Sequence, residues 1–120
     1  LNELVEHMAD GDISLGSFGA TPKAQRVITH KAFDTLSVGR PLITADTPAH
    51  HEVFTHGKTA WLVPPNDAEA LANAIRILAK SVSLRGRIAR EGHRLFVEKY
   101  SLRAIGLLLN DILKSVVTER

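Results

Sequence analysis

Residues 33–67 read FDTLSVGRPLITADTPAHHEVFTHGKTAWLVPPND, and this order of breakers and apolar runs admits few folds. Gly39 and Pro41 stop a helix that runs up to Val38. Proline lacks the amide that would continue the ladder, and glycine takes the left-handed turn that ends a helix. Residues 41–46 (PLITAD) are then a short β-forming run without polar alternation, the pattern of a strand buried on both faces of a parallel sheet. Residues 48–55 predict a short helix or turn, His56-Gly57-Lys58 a turn, and residues 60–63 a second buried strand stopped by Pro64-Pro65. Asn66, with Glu69 three residues on, opens the next helix as a capping box.

The flanks extend the same alternation. Leu1, Val5 and Met8 space a helix over residues 1–9, ended at Asp10-Gly11-Asp12. Residues 13–16 are a strand candidate entering the loop SFGATP, where Gly16 and Gly19 would let a ligand approach the backbone. The helix that ends at Gly39 starts either at Pro22, with Thr21 as its cap, or at Thr29, after the β-branched Val27-Ile28. Downstream, Ala68, Leu71, Ala72, Ile75, Leu78 and Ala79 recur at core spacing. Ser83 is the expected cap of the following helix, with Leu84, Ile88, Leu95 and Phe96 inward. Ser101 opens an amphipathic helix over residues 101–118, whose Leu102, Ile105, Leu109, Ile112 and Val116 fall at alternating steps of three and four. The fold class is therefore α/β, a Rossmann-like parallel sheet with flanking helices.

Three strands are fewer than a free-standing doubly wound domain uses, and the chain opens at Leu1 rather than Met. The expectation is one partial domain over residues 1–120. Composition excludes several classes. With no cysteine there is no disulfide framework and no thiolate metal site, which favours a cytoplasmic protein or one peripheral at the inner membrane. A formal charge of +2 is too small to argue for nucleic acid. Arg85, Arg87, Arg90 and Arg94 cluster, and they read as a solvated helix face in preference to a phosphate or anionic-lipid contact. His50, His51, Glu52 and His56 match no zinc spacing and read as surface groups, so no metal site is expected. No P-loop, nucleophile elbow or complete dinucleotide fingerprint occurs.

The joint order of Gly39-x-Pro41, Asp46-Thr47-Pro48, Gly57 before Trp61-Leu62-Val63-Pro64, and the helix start at Asp67 resembles the C-terminal, donor-binding half of the group 1 (family 4) glycosyltransferases of GT-B fold. The resemblance runs from the strand after Asp12 past Tyr100. It implies transfer of a sugar from a nucleotide-diphosphate sugar to an unknown acceptor, with retention and without a cofactor or an essential metal. The family's Glu-Ala-Met-Ala-x-Gly-x-Pro stretch stands here as Asp34-Thr35-Leu36-Ser37-Val38-Gly39-Arg40-Pro41, so Asp34 is the implied acceptor for the ribose hydroxyls. A second family glutamate, eight residues earlier, is replaced by Arg26; some members carry a basic residue there, with a lysine in the place of Lys31.

The expected donor-side residues are Asp34, Arg26, Lys31, Gly19 and Thr47, with no catalytic residue identified. In a helix starting at Pro22, Lys23, Arg26, His30 and Asp34 would share one face, with cations waiting for a diphosphate at its N-terminus. The family's N-terminal acceptor domain and its diphosphate clamp lie outside this sequence, so the chain alone is expected to be inactive, with residues 102–116 free to self-associate. Two alternatives remain: a non-catalytic α/β interaction module, and a GT-B-fold sugar-nucleotide epimerase.

Overall fold

The computed structural model describes residues 13–118, with side chains described to residue 116; the helix expected over residues 1–9 lies outside the described residues. The elements are β1 (Ser14–Leu15), a 3-10 turn (Ala24–Arg26), α1 (His30–Ser37), β2 (Leu42–Ala45), α2 (Pro48–Val53), β3 (Trp61–Val63), α3 (Ala68–Lys80), α4 (Val82–Leu95), a π-helical turn (Phe96–Tyr100) and α5 (Leu102–Thr118). The strands form one parallel sheet in the order β1-β2-β3. Ser14 pairs with Leu42, and Ile43, Thr44 and Ala45 pair with Trp61, Leu62 and Val63.

All four residues of β2 are buried, as expected for a central parallel strand. Its side chains alternate between two cores. Leu42 joins Leu62, Ala32, Leu36 and Phe54 on one face, and Ile43 joins Val63, Ala74, Leu78 and Ile88 on the other. Burying a side chain of this size contributes about 1.5–3 kcal/mol. The two layers thus outweigh any propensity term in placing α1 and α3. Thr35, also buried, donates its Oγ1 to Lys31 O at 2.9 Å, so the core carries no lost hydrogen bond there.

Local signals resolve the open boundaries. Val27 is extended (φ −120°, ψ 135°), so the chain makes a single 3-10 turn and begins α1 after Thr29, the later of the two starts. Gly39 and Gly57 take positive φ, 71° and 76°, as their turns require. Two caps differ from expectation. Asn66 sits at φ 55°, outside the helix, and Asp67 caps α3 by accepting the Ala70 amide at 2.9 Å. Ser81, not Ser83, caps α4 by accepting the Leu84 amide. Of the residues expected inward on α3, Leu71, Ile75 and Leu78 pack as predicted, whereas Ala68 and Ala79 are exposed and Ala74 is buried.

His50 departs furthest from its reading as a surface group: it is fully buried, with Nδ1 2.7 Å from Ala45 O. α5 is capped by Ser101, which accepts the Ala104 amide at 3.1 Å, and its apolar stripe stays uncovered, with Ile105 42% and Leu102 91% exposed. Among the described residues, no helix is long and apolar enough to cross a membrane.

Candidate functional site

The C-terminal edge of the parallel sheet is where an α/β fold presents loops and helix N-termini to a ligand. Here three loops are stitched to one another along that edge. The loop after β1 accepts the Ala45 amide through Ser17 O (3.1 Å) and the Asn66 amide through Phe18 O (2.9 Å). The Asp46 amide, just past β2, donates to Val63 O at the end of β3 (2.6 Å). Thr44 ties the first loop down: its Oγ1 donates to Ser17 O (3.1 Å) and accepts from Ser17 N (3.3 Å). No sequence pattern marks this latch, because Thr44 reads only as a β-branched strand residue.

The connection from β1 to α1 runs over this edge. Ser17, Thr21, Lys23, Ala24, Val27 and Thr29 enclose a depression of about 230 Å³. Gly19, in the same connection, is exposed, and a Cβ there would stand 3.1 Å from the Ala24 Cβ, so the loop is tightly folded at that point. Arg26, the last residue of the 3-10 turn, is exposed and donates Nε to Pro22 O at 3.1 Å. The turn packs against α2, the helix that follows β2.

α1 opens without a side-chain cap and without a carboxylate in its first turn, and it carries His30 and Lys31 there, both exposed. By contrast, α2, α3, α4 and α5 are all capped by side chains: Thr47, Asp67, Ser81 and Ser101. An uncapped helix start with Lys31 in its first turn is electrostatically unsatisfied, and an anion is its natural complement. Asp34 lies on the exposed face of α1, one turn beyond His30, opposite the buried Ala32, Thr35 and Leu36.

The structure therefore separates residues that a single long helix would have aligned. His30 and Asp34 share a face of α1, but Lys23 and Arg26 belong to the preceding turn, because Val27 is extended. Thr47 is 3% exposed, and its Oγ1 accepts the His50 amide at 3.2 Å, so its hydroxyl is committed to capping α2. Glu52, exposed, lies away from this edge in a larger cleft of about 440 Å³ beneath α4. Charge is balanced there: Glu52, Glu91 and Glu98 face Lys58, Arg94 and Lys99. The hydrogen bond from Arg94 to Glu98 holds that guanidinium above its ordinary pKa. No group of three or more metal-ligating side chains occurs among the described residues.

Comparison with known proteins agrees with this fold. An α-D-kanosaminyltransferase of Streptomyces kanamyceticus is 29% identical over 104 residues, covering 87% of this chain and 27% of that enzyme. HepE of Anabaena, solved in complex with UDP-glucose, superposes with a TM-score of 0.76 at 20% identity, over 92% of this chain and 29% of HepE. Sucrose-phosphate synthase of Thermosynechococcus elongatus gives 0.78 at 19% identity, over 98% and 28%. The C-terminal domain of a glycosyl transferase group 1 protein, LpcC, from Francisella tularensis gives 0.68 at 22% identity, over 84% and 49%. The chain thus spans between 27% and 49% of the length of these relatives. The family model for glycosyl transferases group 1 matches residues 3–81, well over half of the sequence, and the chain belongs to that family.

Proposed function

We propose that this chain forms the donor-nucleotide side of a glycosyltransferase that moves a sugar from a nucleotide-diphosphate sugar to an acceptor held elsewhere. The observation that carries this reading is the start of α1. It is the one α-helix start among the described residues without a side-chain cap, and it pairs free amides with Lys31. A diphosphate laid there would accept hydrogen bonds from those amides and meet Lys31 and Arg26 as counter-charges. Asp34, one turn along the same helix, would accept from the ribose hydroxyls, while Gly19 and the backbone at Thr47 leave room at the rim. HepE, of the same fold, is solved with UDP and with UDP-glucose, which supports a uridine nucleotide as the first donor to try.

In this reading transfer proceeds with retention and without a metal, and the acceptor surface belongs to the remainder of the enzyme. The chain alone then binds donor but transfers no sugar. α5, whose apolar stripe is uncovered, is free to pair with a second copy.

Calorimetric titration with UDP-glucose tests the reading. Lys31→Ala, Arg26→Ala and Asp34→Ala should each weaken binding about tenfold, the worth of one charge-assisted hydrogen bond of about 1.5 kcal/mol. Because all three side chains are exposed, their unfolding midpoints should not move. Binding unchanged in all three variants, or no binding of any nucleotide sugar, would instead favour the interaction-module reading.

A further inference from the structure

At the opposite end of the sheet, just before β2 begins, a second cleft of about 340 Å³ lies between the Gly39-Arg40-Pro41 turn and the first half of α4. Its character is unlike that of the large charge-balanced cleft. Arg40, Arg85 and Arg90 line it, and no carboxylate does. Among the described residues, none of the three has an acidic group within salt-bridge distance. Arg40 Nε is buried and has no hydrogen-bond partner. Arg85 is held in place by donating Nη1 to Leu78 O and Ala79 O, both at 2.7 Å, which finishes α3 and fixes the side chain in the cleft wall.

The floor is made of small residues. Gly39, Gly86 and Ala89 leave the space that the arginines surround, and a Cβ at Gly86 would stand 3.2 Å from Arg90 Nη1. Three like charges around a depression repel one another, and a buried guanidinium nitrogen without a partner loses its solvation. Both penalties are relieved by one ligand type, a compact oxyanion with several acceptor oxygens.

From this arrangement we propose that the Arg40–Arg85–Arg90 cleft binds a phosphate-class oxyanion, presented either by a soluble phosphate compound or by an anionic lipid headgroup. The site is separate from the donor edge: Arg40 and Pro41 enter β2, whereas Asp46 and Thr47 leave it.

The test uses the chain carrying Arg26→Ala and Lys31→Ala, so that the donor edge does not compete. Titration with inorganic pyrophosphate at low salt, followed by amide NMR, should give saturable shifts at Arg40, Gly86 and Ala89. Adding Arg40→Gln and Arg90→Gln should weaken that binding at least about tenfold, the effect of losing charge-assisted contacts. Neither side chain makes a hydrogen bond in the structure, so the fold should persist. Gly86→Leu is the second variant, since it fills the floor while keeping every charge. A built site loses affinity in Gly86→Leu as well. Equal affinity in Gly86→Leu and the parent chain would reduce the cleft to diffuse surface charge and overturn the proposal, as would the absence of saturable shifts at Gly86. Flotation with phosphatidylglycerol vesicles against phosphatidylcholine vesicles identifies the source. Flotation on the anionic vesicles that the glutamine variants abolish assigns a lipid headgroup, and saturable pyrophosphate shifts without flotation assign a soluble one.

Discussion

A Cβ added to Gly16 would stand 2.6 Å from Oγ1 and 2.8 Å from Cβ of Thr44, so the loop leaving β1 lies directly on the side chain at the centre of β2. Space, not dihedral freedom, makes glycine necessary there, since Gly16 does not take positive φ. The close approach lets the Thr44 hydroxyl reach both the amide and the carbonyl of Ser17. That contact sets the path of the loop from Ser17 to Gly19 and, through it, the floor of the proposed donor edge.

Gly16→Ala should therefore destabilise the chain by about 1–3 kcal/mol, the usual cost of overpacking a site that cannot relax. Thr44 is buried in β2 and cannot withdraw. Adding Thr44→Ala removes Oγ1, the nearer of the two obstructing atoms, and leaves only the Cβ contact. The double variant should then be less destabilised than the sum of the two single changes, by about 1 kcal/mol or more of coupling. Urea midpoints for the four proteins of this cycle decide the matter. Strict additivity would show that the two residues do not meet.

Gly92 makes an analogous contact with a different opposing term. A Cβ there would lie 2.8 Å from Leu36 Cδ2 and 2.9 Å from Thr59 O, one an atom of the core and the other backbone. In an exposed helix, replacing glycine by alanine gains up to about 1 kcal/mol. Gly92 is buried inside α4, so the clash outweighs the propensity gain. Gly92→Ala should lower stability by a net amount of about 1–2 kcal/mol. Gly86→Ala, in the same helix with only the mobile end of Arg90 nearby, should raise it. Opposite shifts of the two unfolding midpoints are the expected result.

The features legible in the sequence are those decided by neighbours along the chain. Gly39-Arg40-Pro41 ends a helix, Gly57 makes a turn and Leu42–Ala45 forms a buried strand, because each depends on local dihedral freedom and a continuous apolar run. Caps were legible only to within one or two residues. Whether Asn66 or Asp67 caps α3 turns on Asn66 standing at φ 55° while its amide donates across the sheet edge to Phe18 O. The burial of His50 and the latch between Thr44 and Ser17 join residues that only the tertiary fold brings together. The single helical face expected for Lys23, Arg26, His30 and Asp34 fails at one residue, Val27, whose extended backbone fits its β-branched side chain.

α5 gives the last prediction, because its two possible contributions pull apart. It packs against the π-helical turn before it, and its side chains from Leu107 to Val116 are exposed, so it adds little to the core. Leu102, Ile105, Leu109, Ile112 and Val116, each at least 42% exposed, form a stripe with the spacing of a two-stranded coiled-coil seam. Ending the chain after Ser101 should leave the unfolding temperature of the dilute protein within about 4 °C, the shift of about 1 kcal/mol expected for a small domain. The same truncation should abolish concentration-dependent sedimentation of the 120-residue chain. Leu109→Glu with Ile112→Glu should reproduce the second effect without shortening the helix, since charges at facing positions of a seam oppose pairing. A large loss of thermal stability on truncation would instead make α5 part of the folding unit. Sedimentation of the 120-residue chain as a monomer at every concentration would remove self-association as the role of its apolar stripe.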